Sequence, residues 1–412
     1  MNWSEIFTIT PRFEQNSLIK DTMAICAETD MIMFAAGSPS PQSYPMADFQ
    51  KIFNQEFNAG QTGLFDLMPT GGYAPLINLI AQETIRQGNL ASSEEIMITS
   101  GSIQGLALIS QTFVSQGDLV VVENPTFFGA LQNFNAAKVR LLFVPTDQEG
   151  MQVDVLEKLL TRHHPKLIYT IPTYQNPSGT VMSLVRRRKL IELAHRHSIP
   201  IIEDDPYSKI WFDHPPPPSL KTLDRYNYVI SLSTFSKILF PGLRVGWLTA
   251  PRPVIDRLTQ AKLLLDLHTS APGQIAIHQY LAKGLLDEHL IQVRSDYAER
   301  CELMDSALRR HCGSQLSWQR PGGGYYFWCM LHDNLSSHDL MMELFHDHVA
   351  ILPGEAFYPG SEGSVSFRLN FTFPPKEQIE EGIARLGCAL IRLRKKSHLH
   401  DRRDPKLVRP LV

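Results

Sequence analysis

The chain has 412 residues, 43% of them hydrophobic and 20% charged, with a formal net charge of -3. A chain of this length buries a sizeable core and divides into two domains, or one large domain with a lobe. Its charge gives no footprint for nucleic acid or an anionic membrane, and no apolar run approaches the ~20 residues of a membrane span.

At the N-terminus, "MNWSEIFTIT" carries an acid and no apolar signal-peptide core. The five cysteines, at 26, 301, 312, 329 and 388, show no CxxC or metal spacing. They read as reduced thiols of a cytoplasmic protein without a metal centre. Next come short apolar strands alternating with helical stretches. "EEIMITSG", "GDLVVVENPTFFG", "VRLLFVPTD", "PKLIYTIPTYQNPSG", "IPIIEDDPYS", "YNYVISLSTFSK" and "RVGWLTAP" are predicted strands, with helices such as "LIAQETIRQG" and "VRRRKLIELAHRHS" between them. The alternation predicts an α/β fold with a mostly parallel sheet between helices. "HPPPPSL" is a loop within it. From about Pro251 the pattern turns long and helical, through "QIAIHQYLAKGLLDEHLIQVRSDYAERCELMDSALRRH". The strands "GGGYYFWCML" and "VSFRLNFTF" then predict a smaller α+β domain, and "RKKSHLHDRRDPKLVRPLV" after Leu393 a solvated basic tail.

In parallel sheets ligands bind beyond the carboxyl ends of the strands, and several of these ends carry polar chemistry. "TSGSIQGL" joins a strand to a helix through Gly101 and Ser102, an arrangement able to hold a phosphate or simply to turn the chain. "NPSG" puts Asn176 beside a rigid turn. "EDDPY" runs a buried strand into three carboxylates, which are costly to bury without cationic partners, or else lie solvated in a loop. "STFSKILFPGLR" sets Lys237 among apolar residues, with Thr234 and Ser236 before it and Arg244 seven residues on. Desolvation disfavours an ammonium and leaves an amine fit for Schiff-base chemistry. The hydroxyls and Arg244 suit a phosphate dianion, and an aspartate on a neighbouring strand suits a protonated pyridine nitrogen. Together these are the requirements of pyridoxal 5'-phosphate.

With "PTGGYAPL", "ENPTFFG", "YQNPSGTVMS", "IIEDDPY", "STFSKILFPGLRVGW" and "LPGEAFYPG" in this order, the chain resembles the fold-type I, class I/II pyridoxal-phosphate aminotransferases. It is most similar to the 2-aminoadipate and kynurenine aminotransferase branch, which is related to the catalytic domains of MocR-type regulators. The resemblance implies a large domain with a mostly parallel seven-stranded sheet, over residues 46–285, and a smaller α+β domain over 286–393. It also implies an N-terminal segment, 1–45, covering the active site, and leaves a basic tail at 394–412. Lys237 would be the catalytic lysine, Asp204 the partner of the pyridine nitrogen, and Asn176 and Tyr207 the partners of the phenolic oxygen. Gly101, Ser102, the Ile103 amide, Thr234, Ser236 and Arg244 would hold the phosphate, and Phe127 would cover the ring. Arg368, with Asn176, would grip the substrate α-carboxylate, and Lys20 and Gly37 would lie at the substrate.

The chain departs from the family at four places. Ile103 stands for a usual Gln, Phe127 for a ring-stacking Tyr, Leu67 for a Tyr that reaches the partner subunit's phosphate, and Lys20 for an arginine. The expected protein is a homodimeric ping-pong aminotransferase acting on an amino acid, glutamate among them, and a 2-oxo acid. A lyase, decarboxylase or amino-acid oxidase reaction on the same fold is the alternative. A MocR-type regulator would carry a DNA-binding segment ahead of this domain.

Overall fold

The computed structural model describes residues 30–401 apart from 60–61, 90, 333–334 and 359–360. Two units divide them: a large one of residues 38–296 and 322–325, and a small one of 30–37, 297–321 and 326–401. The change of unit falls inside one helix, Leu285–Cys312, between Asp296 and Tyr297.

In the large unit the sheet runs in the order Ile96–Thr99, Gly246–Thr249, Val229–Thr234, Ile201–Asp205, Leu167–Thr170, Leu119–Asn124, Arg140–Asp147. Gly150–Met151 adds an eighth strand, so the expected seven are extended by a two-residue antiparallel edge that is too short to stand out as a periodic run. Pairing is parallel from Val229–Thr234 out to Arg140–Asp147. Only Gly246–Thr249 among the longer strands runs against both of its neighbours.

The near-continuous apolar strands follow from burial on both faces. Val120 and Val122 pack into one cluster with Leu106, Ile109 and Phe134. Val121, one residue over, packs into the other with Ile168, Leu190 and Ile201. Each such side chain contributes about 1.5–3 kcal/mol by leaving water. The long helical run after Pro251 is broken twice. Helices cover Arg252–Leu265, Ala271–Ala282 and Leu285–Cys312, and Gly284 takes φ +70° between the last two.

The small unit holds an antiparallel sheet in the order Leu316–Trp318, Tyr326–Leu331, Ser366–Asn370, Leu352–Pro353. Ile32–Met33 pairs in parallel with Val349–Ala350. The helix Lys376–Asp401 continues into the first residues of the expected basic tail, because nothing at Leu393 stops it: no Gly or Pro stands there. No described helix is long and apolar enough to cross a membrane.

Candidate active site

The antiparallel strand explains why a lysine and an arginine seven residues apart belong together. The chain rises through Val229–Thr234, makes short 3-10 turns at Phe235–Lys237 and Pro241–Leu243, and returns as Gly246–Thr249. Gly246 therefore pairs with Thr234 on one side and with Thr99 on the other. That register brings the Thr99–Ser102 turn, the Thr234–Lys237 turn and Arg244 to one corner.

Arg244 donates to Ser236 Oγ and to the Ser100 carbonyl, both at 3.3 Å. Thr234 Oγ1 donates to Ser236 Oγ at 3.0 Å and accepts the Ser236 amide at 3.1 Å. Gly101 has no alternative here. Its φ is +79°, and a Cβ would stand 2.4 Å from an Arg244 nitrogen. At Gly246 a Cβ would meet the Ser102 amide at 2.9 Å. The helix Ser102–Phe113 begins at this corner with no side-chain cap. Its positive end, two hydroxyls and a guanidinium can hold a phosphate dianion.

Behind it lies a half-buried lattice that sequence reasoning missed. Asp266 accepts from Gln104 at 2.6 Å, Lys262 at 2.8 Å and Ser100 at 3.2 Å. Burial opposes its charge, but these partners hold its carboxyl below the usual range. The network positions the first turn of the phosphate-side helix from residues far apart in sequence, so no local signal marks it.

The three acids of "EDDPY" separate by strand alternation. Glu203 accepts the amides of Leu220 and Lys221 at 2.6 and 2.9 Å, and Asp205 accepts the Ser208 amide at 3.1 Å. Of the two readings the sequence left open, the acids are buried or half-buried rather than solvated. Their partners are chiefly amide donors rather than cations, which satisfy lone pairs without burying a second charge. Asp204 points to the other face. Its Oδ2 accepts from Tyr169 at 2.8 Å, while its buried Oδ1 has no hydrogen-bond partner among the described residues. Burial raises the Asp204 carboxyl to about 6; Tyr169 and the charge of Lys237 pull it down, and Asp205 pushes it up. Such an orphaned oxygen fits a cationic ring nitrogen.

Tyr169 escaped the sequence reading because a tyrosine in a strand looks like core. Tyr325 did as well. Its hydroxyl donates to the Lys237 carbonyl, and its ring lies 5.3 Å from that of buried Tyr207. Asn176 is buried, and Lys237 is half-buried. Phe127 packs on the apolar cluster, and a Cβ on Gly129 would meet both its ring, at 2.6 Å, and Ile103, at 3.2 Å.

Arg368 and Gly37 belong to the small unit. Arg368 is 1% exposed and donates to the Ala35 and Ala36 carbonyls at 3.0 and 3.4 Å. Its guanidinium lies 4.0 Å from the Tyr326 ring centre, and the Tyr326 hydroxyl donates to Gly37 at 3.5 Å. Lys20 lies outside the described residues.

Residues 29–386 match the family Aminotransferase class I and II. The chain belongs to the class I and II aminotransferases. Among its relatives, aromatic-amino-acid aminotransferase 1 of Thermococcus litoralis is 35% identical over 90% of each chain. The 2-aminoadipate transaminase of Thermus thermophilus is 34% identical over 95% of this chain and 98% of its own. The kynurenine aminotransferase of Pyrococcus horikoshii, solved with PMP, superposes with a TM-score of 0.91 at 34% identity, covering 95% of this chain and 98% of that one. This aminotransferase uses pyridoxal 5'-phosphate to move an amino group from an amino acid to an oxo acid. Bound, the cofactor supplies the electron sink that acidifies the Cα proton of an amino acid. The uncapped helix end, the glycine-lined corner and the orphaned Asp204 oxygen fit that group.

Proposed function

We propose that this aminotransferase runs a ping-pong transamination in which Lys237 Nζ binds the cofactor and carries the Cα proton. Asp204 Oδ1 pairs with the pyridine nitrogen and keeps it protonated. Asn176 and Tyr207 donate to the phenolic oxygen. Gly101, Ser102, the Ile103 amide, Thr234, Ser236 and Arg244 hold the phosphate, and Phe127 covers the ring. Arg368 binds the substrate α-carboxylate as a planar fork that lysine does not reproduce. The observation that carries this reading is Asp204, a buried carboxylate with one oxygen held and the other left for a ligand.

Glutamate serves as a usable donor, and the second substrate is bulkier and more apolar. Leu67, Ile103 and Phe127 replace polar groups with apolar ones, and the relatives named above include enzymes for aromatic and acidic amino acids. At Lys20 an ammonium replaces an arginine fork, which weakens recognition of a distal carboxylate. The test is a half-reaction panel on the holoenzyme. A productive amino acid converts the cofactor to its amino form, with loss of the visible band, and a 2-oxo acid reverses the change. Arg368→Ala should raise KM about 30-fold or more for every substrate, the equivalent of ~2 kcal/mol or more. Lys20→Ala should raise it for glutamate and spare an apolar amino acid. No reversible half-reaction with any amino acid would overturn the assignment, and equal effects of Lys20→Ala on both substrates would remove its specificity role.

The working form is a homodimer. Leu264, Leu67 and Phe65 are 89, 80 and 73% exposed in the single chain, with Leu265 and Leu267 beside Leu264. So much exposed apolar surface is characteristic of a contact face. Light scattering at micromolar concentration should return twice the 46.6 kDa chain mass, and Leu264→Asp should shift it toward monomer. A fully active monomer would exclude the dimer. Its place is the cytoplasm, consistent with the free thiols of Cys301, Cys312, Cys329 and Cys388.

A further inference from the structure

On one face of the large unit's apolar sheet, polar side chains gather toward the strand Gly246–Thr249. Where three strands lie side by side, Glu203 pairs with Ser231, Asp205 with Ser233, and Ser231 with Thr249. By alternation these side chains share the face opposite Asp204. A cavity of about 450 Å³ opens over Asp205, Ser231, Ser233 and Thr249. Thr234 lines it, but Asp204, Tyr207, Lys237 and Arg244 do not. Its apolar wall comes from Leu79, Ile80, Phe235, Trp247, Leu281 and Leu286.

Lys221 also lines the cavity and is only 8% exposed. Its amide is held by Glu203, yet its ammonium makes no hydrogen bond or ion pair with any described residue. Asp224, Glu95 and Glu203 act on it through space, and burial outweighs them in lowering its pKa. The other lysine lining the cavity is committed: Lys209 pairs with Glu83 at 2.8 Å. Asp205 and Asp287 line the cavity too, Asp205 already accepting from Ser208. An ammonium largely withdrawn from water and without a direct partner loses hydration, and an anion delivered by a ligand would offset that cost. Ser231, Ser233 and Thr249 supply hydroxyl donors beside it.

We propose that this cavity binds a small carboxylate with an apolar body, the carboxylate on Lys221 and the body against the Leu79–Trp247 wall. Its volume lies in the range of about 300–1,000 Å³ typical of small-molecule sites. The site is separate from the transamination site, and the proposal holds whatever the amino donor.

The probe is 3-phenylpropanoate, which has no amino or oxo group to react, with 3-phenylpropan-1-ol as its uncharged counterpart. Trp247 serves as the fluorescent reporter. The titration uses the Arg368→Ala holoenzyme, so that carboxylate binding at Arg368 is removed. Saturable binding of about one equivalent is expected. It should weaken about tenfold or more on adding Lys221→Met, and similarly for the alcohol, while Lys221→Arg retains it. Without ligand, Lys221→Met should not lower the thermal midpoint, since it removes a charge that is partly desolvated and has no direct partner. Binding that disappears with Arg368→Ala alone, or that ignores Lys221→Met, would overturn the proposal. A lower midpoint for Lys221→Met would also overturn it, by making Lys221 a structural cation.

Discussion

Lys237→Ala should leave a folded protein whose turnover falls by more than about 10⁴-fold and which has lost its visible cofactor absorbance. The turn that carries Lys237 does not depend on its side chain. The Phe235 amide donates to the Val245 carbonyl at 3.0 Å, the Leu239 amide to the Phe235 carbonyl at 2.8 Å, and Tyr325 to the Lys237 carbonyl. Buried Phe235, Ile238 and Leu239 anchor it on either side. Alanine therefore removes the amine alone. In the proposed reaction that amine is both nucleophile and proton carrier, and proton transfer by itself is worth about 10²–10⁴-fold. Lys237→Arg should fail as well, because a guanidinium stays protonated and cannot attack. Steady-state kinetics and an absorption spectrum decide the matter; wild-type turnover in either variant would place the chemistry on another residue.

Asp204→Asn should separate stability from activity. In the cofactor-free protein, burial holds the Asp204 carboxyl at about 6, above its ordinary value of 3.8. Below that ordinary value the group is neutral in both folded and unfolded chains and carries no penalty. As pH rises through the folded value, the folded chain must ionise a buried acid, and its contribution to stability is lost. A rise of about two units corresponds to roughly 3 kcal/mol above pH 6. Asparagine has no charge to bury and retains an oxygen for Tyr169. The cofactor-free variant should melt above wild type at pH 8, with the gap closing toward pH 4. With cofactor bound, the same change removes the anion facing the ring nitrogen, and turnover should fall about 10²–10³-fold. A melting difference independent of pH, or unimpaired turnover, would contradict this assignment.

The structure resolves why a site built for one ligand tolerates a carboxylate so poorly solvated. Asp204 is ready to accept a cation because none of the described residues hydrogen-bonds its second oxygen. That readiness costs stability in the absence of ligand, a common exchange at functional sites.

By itself the sequence determined the features that depend on neighbouring residues. The apolar strands and their polar ends follow from periodicity. The placing of Lys237 and Arg244 at one corner follows from a strand, a Pro-Gly turn and a returning strand, all within the twenty-one residues from Val229 to Thr249. Gly101 follows from a turn that needs positive φ. Tertiary structure decided everything carried by distant contacts. Tyr169 became the partner of Asp204 only because two strands lie side by side with their side chains on one face. The three acids of "EDDPY" received three different partners, from a helix start, a strand and a turn, where the sequence left open cationic partners or a solvated loop. The Asp266 lattice and the lone ammonium of Lys221 arise from segments that are remote along the chain and adjacent in space. Local pattern specifies which face a residue takes; only packing specifies what that residue meets there.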